Sequence, residues 1–173
     1  MMLARLRGWH LAAVLGAVAI IGLTVQTAFG SGSGGPVTKV HVVTGTASAS
    51  DAAAAGTFTP VPNATTTFVV GAGKNPLLLL RFSSESICQG ATAGAACGVK
   101  ILVNGAEASP TTGATVPFFD SATTAGNPSA HSIDRSIRLH GPGTFNVVVQ
   151  FAKATGVTTF TLNNWSLTAE RVG

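Results

Sequence analysis

His131-Ser132-Ile133-Asp134 places three residue types used in nucleophilic catalysis side by side. A serine nucleophile needs a base within hydrogen-bond reach and a carboxylate to orient that base. On an extended strand Ser132 and Asp134 share one face while His131 takes the other. No Gly-x-Ser-x-Gly elbow occurs in the chain. A loop-to-strand junction therefore accounts for the run more simply than a serine hydrolase does. Arg81 and Glu85 widen the candidate set to a polar cluster of Arg81, Glu85, His131 and Asp134. Arg81 ends a run of four leucines, which places it near a buried face, where a guanidinium requires a carboxylate. Glu85, Asp120 and Asp134 are the residues able to supply one. An internal ion pair that fixes strand register is the plain reading, and a polar pocket at one end of the fold is the functional one.

Other chemistries find less support. His41, His131 and His140 lack His-x-x-x-His spacing, and six acids in the whole chain are too scattered for a calcium cage. No metal and no cofactor is implied. Glycoside hydrolysis wants two carboxylates about 5–10 Å apart in a cleft; Glu85 and Glu107 are the only long ones apart from Glu170 near the end. Sugar-binding faces rely on exposed rings, yet tyrosine is absent and Trp165 is the only tryptophan after Trp9. Trp165 heads an alternating run, so a core position is expected of it.

Composition narrows the field further. Charged residues are 9% of the chain, hydrophobic ones 46%, and aromatics comprise nine Phe and two Trp. Intrinsic disorder and a coiled coil are excluded by that balance. Arg5 and Arg7 precede an apolar stretch from Leu11 to Val25, followed by Ala28 and Gly30 at the small-residue positions of a cleavage site. That layout reads as a secretory signal over residues 1–30. The alternative is a membrane anchor, but the stretch falls short of the about 20 residues a bilayer helix needs. Residues 31–36 read as a flexible linker and 37–173 as a single domain, secreted and free of the membrane once the signal is removed.

Without Arg5 and Arg7, eight basic side chains face six acidic ones. Lys39, Lys74, Lys100 and Lys153 lie far apart, so no phosphate-binding stripe forms and nucleic acid is not an expected partner. Cys88 and Cys97 are the only cysteines. In an oxidising compartment they are expected to form a disulfide, since no Cys-x-x-Cys or other ligand spacing accompanies them.

The elements that must position these residues read as strands. Short runs rich in Val, Ile, Phe and Thr alternate with Gly, Pro, Asn and Ser, and no helical periodicity appears after Ser31. The expected strands are 38–43, 58–61 (an edge, because of Pro60 and Pro62), 65–70, 77–82, 99–103, 106–109, 115–119, 132–139, 144–152, 158–162 and 165–170. The Leu77–Leu80 run is apolar at every position, as for a strand covered on both faces. Asn104-Gly105 is a hairpin signal. Phe145, Val147, Val149 and Phe151 point one way, and Asn163-Asn164 must switch parity between Leu162 and Trp165. Many short strands and no helix give an all-β fold: a two-sheet antiparallel sandwich of the jelly-roll kind.

The runs Leu77–Cys88 and Cys97–Gly105 resemble small secreted β-sandwich proteins of actinomycete bacteria, as does the ending from Gly141-Pro142-Gly143-Thr144 to Asn163-Asn164-Trp165-Ser166-Leu167. That group has no assigned activity, so the resemblance implies a fold and carries over no catalytic residue. The closing strands are also similar, more weakly, to jelly-roll heads of the tumour-necrosis-factor/complement-C1q and phage tail-fibre kind, which implies assembly and partner binding. Three functional expectations follow. The first is a secreted, non-enzymatic binding or assembly module, with a protein or glycan partner or a second copy of itself. The second is a small extracellular hydrolase using Arg81, Glu85, His131 and Asp134. The third is a carbohydrate-binding module built on Trp165.

Overall fold

In the computed structural model residues 35–173 are described, and the signal segment expected at 1–30 lies outside them. Ten strands follow one another: β1 (Val37–Gly45), β2 (Ala49–Ser50), β3 (Thr59–Val70), β4 (Leu77–Gly90), β5 (Ala96–Val103), β6 (Ala106–Glu107), β7 (Asp120–Ser121), β8 (Ser129–Arg138), β9 (Gly143–Lys153) and β10 (Val157–Val172). They form two antiparallel sheets. The first runs β1-β10-β4-β8, with β2 also on β10; the second runs β3-β9-β5-β6, with β7 also on β5. Setting the two-residue β2 and β7 aside, successive strands cross between the sheets except at the β5-β6 hairpin, the winding of a jelly roll.

Period-two alternation builds the core. Val147, Val149 and Phe151 of β9 are buried, and Phe145 packs against the same core. They meet Leu78, Leu80 and Phe82 of β4 and Phe160, Leu162, Trp165 and Leu167 of β10 from the facing sheet. Burying such side chains contributes roughly 1.5–3 kcal/mol each. Cys88 of β4 and Cys97 of β5 form a buried disulfide that ties one sheet to the other. By the chain-entropy model a loop of this length stabilises by about 2.5–3 kcal/mol.

Local devices appear where the sequence called for them. Asn104 and Gly105 take φ of 48° and 83°, the left-handed pair of a tight hairpin. β10 is one strand rather than two. Its register slips between Asn163 and Ser166, with Asn164 at φ 46°, and that bulge carries the parity change. β3 is likewise continuous, with an irregularity between Pro60 and Thr65 and Asn63 at φ 62°.

Three expectations are corrected. Residues 115–119 are loop, not strand. Pro117 has no N–H to give a ladder, and the segment packs over Gly98, where a Cβ would strike Val116 and Pro117. The Leu77–Leu80 run is not covered on both sides, because Leu79 is 39% exposed on the outer face. Arg81, two residues on, shares that face and is solvent-exposed rather than internal. Finally, β4 runs on to Gly90, eight residues past the expected end. Its inward positions there include Ser84 and Ser86, whose polarity hid the alternation.

Candidate functional site

Only one pair of the proposed polar cluster forms a direct contact. Arg81 and Asp134 are Cα partners across β4 and β8, and Arg81 Nε donates to Asp134 Oδ1 at 2.7 Å. With side chains 65% and 66% exposed, this pair adds little to stability. The hydrogen bond that Arg81 donates to Asp134, and then the charge of that carboxylate, hold the guanidinium above its ordinary pKa. Glu85 sits farther along the same outer face and accepts a 2.7 Å bond from Asn164 Nδ2. His131 is paired opposite Ser84 and turns to the inner face, beside Phe119. The four residues are thus divided between two faces of one sheet.

The outer face of the first sheet carries a depression. Its volume is about 320 Å³, and it is lined by Leu79, Leu80, Arg81, Asp134, Arg135, Thr168 and Glu170. Exposed valines continue the face across β1: Val40 is 50% and Val42 61% exposed. Charges within the depression are balanced, two arginines against two acids, so no strong field selects an ionic ligand.

His131 belongs to a different group, one that sequence spacing did not disclose. Asp120 is buried, and its Oδ2 accepts from Ser86 Oγ at 2.6 Å and from Ser129 Oγ at 3.4 Å. Its Oδ1 accepts from the Ser121 N–H at 2.7 Å and lies 3.3 Å from His131 Nε2. The same Nε2 is 2.7 Å from Ser129 Oγ. A Ser-His-Asp relay needs the carboxylate on one ring nitrogen and the hydroxyl on the other. Here one nitrogen meets both, so no proton path runs through the ring. The group is a polar knot that fastens β7 and β8 to β4. Asp120 was a candidate partner for Arg81; it is engaged by serines instead, and only the pairing of β4 with β8 brings Ser86 and Ser129 within reach of it.

The second sheet hides a charge. Lys100 points outward from β5, yet its side chain is 8% exposed because Phe58 and the loop after β6 cover it. Its Nζ lies 4.0 Å from the centre of the Phe58 ring, donates to Gly113 O, and is 3.8 Å from Glu107 Oε2. A lysine between Val99 and Ile101 in an otherwise apolar run was the available signal. Burial pushes the Glu107 carboxyl up, but bonds from the Thr112 N–H and hydroxyl and the Gly113 N–H, with Lys100 nearby, outweigh it and hold the pKa below the ordinary value. Ionised Glu107 therefore stabilises the fold above the usual glutamate range of about 4.3, and that contribution is lost as pH falls through the depressed value. Urea midpoints measured against pH should show this acid loss in the wild type and lack it in Glu107→Gln. Equal acid limbs in the two proteins would mean that the loop is not held by this carboxylate.

Trp165 is 3% exposed and packs against Phe82, ring centres 6.3 Å apart, so it offers no platform to a sugar. Among the described residues no cluster of three or more His, Cys, Asp or Glu side chains is placed to hold a metal ion. No protein-family model matches the chain, and no curated protein matches it.

Proposed function

We propose that this chain is a secreted, non-enzymatic β-sandwich that works by assembly through its first sheet. One observation carries the reading: Val40, Val42 and Leu79 are exposed together on the first sheet beside the depression, whereas on the strands of the second only Val69 of β3 is comparably exposed and the loop over Lys100 covers β5. Apolar side chains grouped on a bare sheet face mark an interaction surface. The groups a hydrolase would need are engaged elsewhere, Arg81 with Asp134, Glu85 with Asn164, and His131 with Ser129 and Asp120. Low net charge leaves little repulsion between copies. The similarity of the closing strands to assembling jelly-roll heads agrees with this reading, and the disulfide is compatible with export.

Light scattering coupled to size exclusion tests it on the chain from residue 31 onward. A mass of two or more copies that rises with concentration is the expected result. A strict monomer at the highest attainable concentration overturns the reading. So does turnover of activated esters that disappears in His131→Ala.

A further inference from the structure

We propose that two copies join through their β1 strands, antiparallel and centred on His41, so that the first sheets merge into one sheet spanning the pair. This rests on the assembly reading above and names the strand and register that carry it.

The edges of the sandwich are not alike. An unpaired edge strand is a template for another strand unless something blocks it. On β8, Ser109 forms a two-way bridge with Ser136, both bonds 2.8 Å. β3 carries Pro60, Pro62 and left-handed Asn63 along its edge. β6 is only two residues long. β1 has nine residues, no proline, and a continuous register with β10 from Lys39 to Gly45. Its other side has no backbone partner among the described residues. The strand's one charge, Lys39, is exposed and rests with its Nζ 6.0 Å from the centre of the Phe68 ring, so a single lysine is all that guards this edge.

Side chains then select the register. Within its own sheet Val40 faces Glu170 and Val42 faces Thr168, so neither valine has an apolar neighbour across the ladder. A two-fold pair that keeps outer faces together must match residues of equal parity. Centred on His41, each Val40 stands opposite the partner's Val42, and each Lys39 opposite the partner's Val43. Centred on Val40, Lys39 would face the partner's His41. Centred on Val42, Val40 would face the partner's Thr44. Only the first register gives both valines an apolar mate and keeps Lys39 away from a second cation. The axis is clear as well, because His41 turns into its own sandwich, stacked on Phe68 at 4.4 Å and bonded through Nδ1 to Thr66 Oγ1 at 2.7 Å.

Scattering and oxidative cross-linking of the same chain decide the matter. The wild type should be a dimer and no larger, since a two-fold edge pair closes on itself. Val40→Lys combined with Val42→Lys should weaken it by at least about tenfold, through like charges facing across the new ladder. Val69→Lys, on an exposed position of β3, should leave the dimer unchanged. Val40→Cys mixed with Val42→Cys should cross-link, while either alone should not, because directly opposite Cβ atoms come within disulfide reach and diagonal ones do not. The cysteine variants also serve as the readout if the double lysine variant fails to fold. Cross-linking of Val40→Cys alone, or of Val42→Cys alone, overturns the register. A trimer, or a dimer indifferent to both lysines with no cross-link in any mixture, overturns the β1 pairing while sparing the assembly reading. A monomer removes both.

Discussion

Replacing Phe82 with alanine should lower the free energy of unfolding by about 4 kcal/mol, in the upper half of the range for buried Phe→Ala changes. Phe82 is fully buried on β4, in ladder with Leu167 of β10 on one side and Ile133 of β8 on the other. Its ring centre lies 6.1 Å from that of Phe119 and 6.3 Å from that of Trp165. The cost of a deleted ring depends on how far its surroundings collapse into the space. Here collapse is resisted, because β4 is hydrogen-bonded along both edges and cannot move without breaking two ladders. Phe118→Ala is the matched control. That ring is 67% exposed and should cost less than about 0.5 kcal/mol. Urea unfolding of both variants with unchanged slope would give the comparison directly. A loss below about 1.5 kcal/mol for Phe82→Ala would mean the central rings do not pack as described.

Phe82 also marks where the fold was legible in the sequence and where it stopped being so. Alternation is visible when inward positions are apolar and outward ones are not. That is why β9 could be read from Phe145, Val147, Val149 and Phe151, and why the slip at Asn163-Asn164 could be placed before any coordinates. Beyond Phe82 the same strand carries Ser84 and Ser86 inward. Ser84 Oγ donates to Asn163 O at 2.8 Å and Ser86 Oγ donates to Asp120, so these hydroxyls are paired and can be buried. Their partners lie 79 and 34 residues away in sequence, and local pattern has no access to them. The leucine run failed differently: four leucines look alike, and only the bare outer face distinguishes Leu78 and Leu80 from Leu79. Arg81 was misplaced by the same ambiguity. The candidate cluster divided for a reason parity already contained, since His131 and Asp134 cannot share a face of one strand. What parity could not supply was the true neighbour of His131, which β7 delivers from across a loop.

That neighbour sets the second large effect. Asp120→Ala should destabilise the protein by about 3 kcal/mol, and the loss should come from stranded donors more than from lost packing. The carboxylate answers Ser86 Oγ, Ser129 Oγ and the Ser121 N–H from a site that is 6% exposed. Without it, fully buried Ser86 has only the Ser129 carbonyl, 3.5 Å away. Asp120→Asn should cost less than alanine, because its amide oxygen can still accept from Ser86. The decisive comparison is a cycle with Ser86→Ala. Removing the hydroxyl from the alanine variant removes the unsatisfied donor, so the double variant should be more stable than the sum of the single losses predicts, by about 1–2 kcal/mol. Simple additivity would mean that Asp120 acts through bulk alone. Coupling of that size would locate the strength of this end of the sandwich in the knot itself, where His131 and two serines gather around a buried acid.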